Sequence, residues 1–147
     1  MILFGAGVMT GLMMPLIGLV LYKMLQLHLA RVKVRKWTGK PVQNVHLDWE
    51  LTENTLGFFQ CDSGDIFVSP WMEAAWMEYV LLHEIGHRHC EHDGTVPELW
   101  AELEAEVYSA NHLPHGHTCE DHLDKVIWRL HELGEDAGLP VADVYMD

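Results

Sequence analysis

The sequence predicts an α+β fold in which a short antiparallel sheet is followed by about three helices, all behind one N-terminal transmembrane helix. Three observations predict it. Residues 2–22 hold no charged side chain. Residues 42–69 alternate apolar with polar side chains and carry turn residues between the runs, which is the mark of short strands. From residue 70 onward apolar residues recur at helical spacing. The chain has 147 residues, enough for one domain of ordinary size.

The first element is the apolar run. At about 1.5 Å per residue, a helix over 2–22 is long enough to cross a bilayer core. Pro15 and several glycines interrupt it, which membrane helices tolerate better than others do. The alternative reading of this run is a buried core helix. Lys23, Arg31, Lys33, Arg35, Lys36 and Lys40 follow it and make up six of the nine basic residues. That bias places the amino terminus outside and the rest of the chain in the cytoplasm, with the basic stretch against anionic lipid head groups. The expected layout is an anchor over 1–24, a basic juxtamembrane linker over 25–41 and a folded domain over 42–147.

Within the domain, Val45, Leu47, Trp49 and Leu51 alternate along 42–51 and argue a strand. Residues 56–60 and 65–69 read as two more strands. Cys61-Asp62-Ser63-Gly64 has the chemistry of a hairpin turn between them. Ser69-Pro70 opens a helix over about 71–89, with a break near Met77, and Asp93-Gly94 closes that region. A second helix starts at Thr95 or Pro97 and runs through Leu99, Leu103, Val107 and Ala110. Leu113-Pro114-His115-Gly116 breaks it, and a last helix covers about 119–133.

Charge narrows the function. Residues 41–147 hold three basic residues against all 22 acidic ones, a formal charge of −19. Such a surface repels phosphate backbones and argues against nucleic-acid binding. Cys61, Cys90 and Cys119 are odd in number and widely spaced, so they read as free thiols, with Cys90 a small buried side chain.

The chemistry concentrates in His83-Glu84-Ile85-Gly86-His87, an HExxH motif after the apolar run Tyr79-Val80-Leu81-Leu82. Residues four apart share a helix face, so His83 and His87 can aim ring nitrogens at one zinc ion, Zn2+. Glu84 can reach a water on that zinc and take its proton as general base. A zinc hydrolase needs a third protein ligand. Asp93 is the tenth residue after His83, where related motifs place one, and His92 is the ninth, beyond the helix's natural alignment. The better candidate lies on the next helix. Glu102 and Glu106 are four apart, Ala105 lets two helices approach, and Glu98 shares the face. Glu102 is the expected ligand, with Glu104 as fallback and Glu106 as the group holding a ligand histidine.

These residues resemble a known group. The strand and exit Asp65-Ile66-Phe67-Val68-Ser69-Pro70, the motif His83 to His87, and Glu102-Leu103-Glu104-Ala105-Glu106-Val107-Tyr108-Ser109-Ala110 before Leu113-Pro114 are similar to the ImmA/IrrE-type metallopeptidases. The match spans about 56–114. There, Glu106 stands where the family has Asn or Asp. The apolar amino terminus is similar instead to HtpX-like membrane metalloproteases. Both groups are glutamate-type zincins (gluzincins). The resemblance implies zinc on His83, His87 and Glu102, with Glu84 as base. It also implies a small zincin-like domain in which substrate lies extended along a sheet edge beside the motif helix.

The expected function is a membrane-anchored zinc metalloendopeptidase that acts on a protein or peptide, with lipid contact through its first helix. Tyr108, His112, His115, His117 and His122 are candidates to stabilise the oxyanion, and His115, His117 and His122 around Cys119 are a candidate second metal site. The alternative function is a non-catalytic metal-binding or regulatory module tethered to the membrane.

Overall fold

The computed structural model describes residues 5–140, with side chains from Met14 onward. Its elements are α1 Gly5–Thr38, β1 Val45–Leu47, β2 Gly57–Gln60, β3 Asp65–Val68, α2 Ala74–His89, α3 Glu98–His112 and α4 Glu120–Asp136. Among the described residues the fold is α+β, with four helices and one three-stranded sheet.

The sheet is mixed rather than antiparallel. Its order is β1-β3-β2, with β1 parallel and β2 antiparallel to β3. The expected hairpin joins β2 to β3 through residues 61–64, and Gly64 takes the positive φ of 77° that the turn needs. That hairpin returns β3 into the position beside β1, so the first strand meets a strand running its own way. Ile66 and Val68 are wholly buried in the middle. The first strand is only three residues long. Asn44, at φ 56°, turns the chain just before it, and a turn over residues 48–51 ends it.

The second helix starts at Ala74, three residues later than expected, because the Ser69 hydroxyl accepts from the Trp71 amide and holds residues 69–71 in a bend. It then runs without a break at Met77. Met77, Leu81 and Leu82 are fully buried, and Leu103 of α3 joins them in the core. At Gly86 the two helices touch. A Cβ there would lie 2.9 Å from the Ala105 carbonyl oxygen and 3.0 Å from its Cα. Gly86→Ala improves helix propensity, yet here it is expected to destabilise by about 1–3 kcal/mol through overpacking. A thermal melt checks this, at roughly 4 °C per kcal/mol. An unchanged Tm would mean that the helices have room to spare.

The expected membrane anchor is corrected. Among the described residues, no helix is long and apolar enough to cross a membrane. The stretch expected as anchor falls partly outside the described residues, since 1–4 and the side chains of 5–13 are not among them. The single-pass topology, with its outside terminus and cytoplasmic catalytic domain, therefore has no support.

Beyond Lys23, α1 packs on the domain. Leu27, Ala30 and Val34 are buried, and the helix lies along α2. Two of the basic side chains expected to face lipid hold protein groups instead. Arg31 donates to the Val42 carbonyl at 2.8 Å, and Lys33 lies 3.1 Å from the buried Glu78 carboxylate. Residues 25–38, placed within the linker, are helical, and their Leu27, Ala30 and Val34 join the core.

Candidate metal centre

The four-residue spacing of α2 sets His83 and His87 side by side, with their Nε2 atoms 3.0 Å apart. Helix α3 brings one carboxylate to both. Glu102 Oε2 lies 3.2 Å from His83 Nε2, and Glu102 Oε1 lies 3.2 Å from His87 Nε2. A tetrahedral zinc with bonds near 2.0–2.2 Å holds its ligand atoms about 3.3 Å apart. Two imidazoles and one carboxylate at 3.0–3.2 Å fit that geometry in both spacing and donor type.

Behind His83 stands a buried pair. Its Nδ1 lies 3.2 Å from Glu106 Oε1, and the Tyr79 hydroxyl donates to both oxygens of Glu106 at 2.7 Å. Burial, then the adjacent Glu106 charge, pushes the Tyr79 phenol well above its ordinary pKa, so it stays a donor. Burial alone would lower the pKa of His83. The Glu102 and Glu106 carboxylates beside it outweigh that and raise it to about 10. Burial would likewise raise Glu102, but His83 and His87, each 3.2 Å away, hold it well below the carboxylate range. Tyr79 carries no signal of its own in the sequence, although it stands four residues before His83 on the same helix face.

Glu84 is buried beside the edge strand β2. A Cβ on Gly57 would lie 3.2 Å from Glu84 Oε1, so glycine is what lets the strand approach. Burial raises the Glu84 pKa, and the nearby His83 and His87 oppose the rise. A cleft of about 240 Å³ opens here, lined by Gly57, Phe58, Phe59, Glu84, His87, His92 and Glu102.

The other sequence candidates lie elsewhere. Glu104 turns away from His83 and meets His92 at 2.6 Å. Asp93 accepts from the amide and hydroxyl of Thr95. Tyr108 and His112 line a separate cavity of about 330 Å³ with His89 and Cys90. His115 pairs with Glu120, His117 packs edge-on against Trp37, and His122 packs against Trp76. None of the five oxyanion candidates lines the cleft beside Glu84. Among the described residues, the tail histidines do not gather into a metal-sized donor set.

Comparison with protein-family models, with curated proteins and with solved structures finds no match to this chain. The functional reading therefore stands on the site.

Proposed function

We propose that this chain is a zinc-dependent peptidase of the glutamate-type zincin class, similar in its site to the ImmA/IrrE-type metallopeptidases. The observation that carries the reading is the convergence of His83 Nε2, His87 Nε2 and both Glu102 oxygens at 3.0–3.2 Å, with Glu84 buried in the adjoining cleft. His83, His87 and Glu102 would hold the ion. Zinc bound there supplies a Lewis acid for the scissile carbonyl and lowers the pKa of a water. Glu84 takes the proton of the attacking water and hands it to the leaving amine. Glu106 and Tyr79 hold the His83 ring in place. Among the described residues, edge strand β2 is paired on one side only, which suits an extended peptide that adds to the sheet beside the cleft.

Zinc content of the full chain, measured beside His83→Ala, tests the reading. One zinc per wild-type chain, lost in the variant, is the expected result. Folded wild-type protein without zinc would remove it. The third ligand has its own test. Glu102→Ala is expected to weaken zinc binding by more than the roughly 10–100-fold typical of a supporting residue, and Glu104→Ala by less than Glu102→Ala. The reverse order, read by chelator competition, would move the ligand to Glu104.

A further inference from the structure

We propose that Cys90, His92 and Glu104 form a second metal site, one for a thiophilic divalent cation, that fills after the site of His83, His87 and Glu102. Its ligands are separate from those three, so either site can exist without the other.

The backbone builds the cluster at the end of α2. There the Cys90 amide donates to the Gly86 carbonyl, the Glu91 amide to that of Arg88 and the His92 amide to that of His87. Glu91 sits at φ 55°, in the left-handed region that costs a side chain about 1–2 kcal/mol. That turn brings Cys90 and His92, the residues on either side of Glu91, to one place. Strain held in this way points to a use for it. Helix α3 supplies the carboxylate. Residues two apart lie about 200° apart around a helix, so Glu102 faces the first site and Glu104 faces away from it. Glu104 Oε2 lies 2.6 Å from His92 Nε2.

One sulfur, one imidazole nitrogen and one carboxylate oxygen thus lie within 4.8 Å of one another. Among the described residues, only His83, His87 and Glu102 gather in the same way, and neither Cys61 nor Cys119 belongs to such a set. Tetrahedral zinc with one sulfur ligand spaces its donors about 3.3–3.6 Å apart. Side-chain movements of about 1 Å reach that spacing. Glu104 is 31% exposed and has room to draw back from His92 as the ion replaces their hydrogen bond. A thiolate and an imidazole favour zinc over magnesium or calcium, which take oxygen ligands. Cys90 and Glu104 also line the cavity of about 330 Å³, with Lys40, Tyr108 and Asn111, so a fourth position is open to water or a small ligand.

The order of filling follows from geometry. The first site has its donors at 3.0–3.2 Å, already at zinc spacing. The second must break a hydrogen bond and rearrange before it can bind. The Cys90 proton must also leave to solvent, and burial, then the Glu104 charge, raises that thiol to about 11. The second site is therefore the weaker one and fills when metal exceeds one ion per chain. His92 lines the cleft beside Glu84 as well, so an ion held there stands at the cleft wall.

Cobalt(II) titration of the full chain, followed by absorption, tests the second site. Cobalt stands in for zinc and shows a thiolate-to-cobalt charge-transfer band only where a cysteine binds it. The first equivalent is expected to give no such band and the second to give it. The band should vanish in Cys90→Ser and persist in Cys61→Ser and Cys119→Ser. In His92→Ala and Glu104→Gln it should demand more than the roughly 10–100-fold extra metal typical of losing a supporting residue. Glu104→Gln keeps the size of a half-buried side chain and its bond to His92, so the result does not hang on a variant that fails to fold. In His83→Ala the band should remain. Folded wild type with no thiolate band at several equivalents would overturn the second site, whatever the first one binds. A band that survives Cys90→Ser, or one unchanged in both His92→Ala and Glu104→Gln, would overturn it too. A band that rises with the first equivalent and is lost in His83→Ala would make Cys90 a ligand of the first ion and overturn the separate site. A band that rises with the first equivalent and is unchanged in His83→Ala would keep this site and remove the zinc reading above.

Discussion

Glu84→Gln is expected to keep one zinc per chain and to lower peptide hydrolysis by about 10²–10⁴-fold. The side chain keeps its length and volume, so the packing beside Gly57 and the ligands on the same helix stay in place. What the amide loses is the ability to take a proton from the attacking water. Burial raises the Glu84 pKa, which makes the carboxylate a stronger base than an exposed glutamate. Zinc analysis and cleavage of a mixed set of fluorogenic peptides measure the two halves of this result. Cleavage at the wild-type rate would take the general-base role away from Glu84. Loss of zinc would make Glu84 part of the metal's support instead.

The placement of the candidate donors is readable in the sequence because it follows from helix periodicity. Four-residue spacing puts His83 and His87 together whatever surrounds them, and the same spacing selects Glu102 with Glu106 over Glu104. The same face, traced one turn back, reaches Tyr79. His92 is out of reach for a different reason. Its place depends on Glu91 adopting a conformation that its residue type disfavours, and no local pattern announces that. The pairing of β1 is equally hidden. Alternation along a strand shows which side chains face the core, not the direction of the neighbouring strand. The amino-terminal helix reads as an anchor because the apolarity of residues 2–22 outweighs the subtler pattern in residues 24–38. Leu27, Ala30 and Val34, spaced three and four apart among charged residues, already describe a helix with one face for a core.

Removal of residues 1–40 is expected to take a large share of the stability of the fold. Leu27 and Val34 bury their side chains against the domain, at about 1.5–3 kcal/mol each. Together that is roughly 3–6 kcal/mol out of a total that is commonly about 5–15. The cut also takes Ala30 and the partly buried Trp37 from the core, and Lys33 from the buried Glu78 carboxylate. A chain over 41–147 should therefore melt roughly 12–24 °C lower or show no cooperative transition. A paired substitution separates packing from simple shortening. Leu27→Ala in the full chain should cost about 2–5 kcal/mol. Leu29→Ala, two residues on and 52% exposed, should change stability by no more than about 0.5 kcal/mol. Equal melting of the full and shortened chains, or of the two leucine variants, would mean that α1 only rests on the surface. The same helix backs α2, which carries His83, Glu84 and His87. Its loss should therefore weaken zinc binding as well as the fold, and zinc titration of the shortened chain reads that second effect directly.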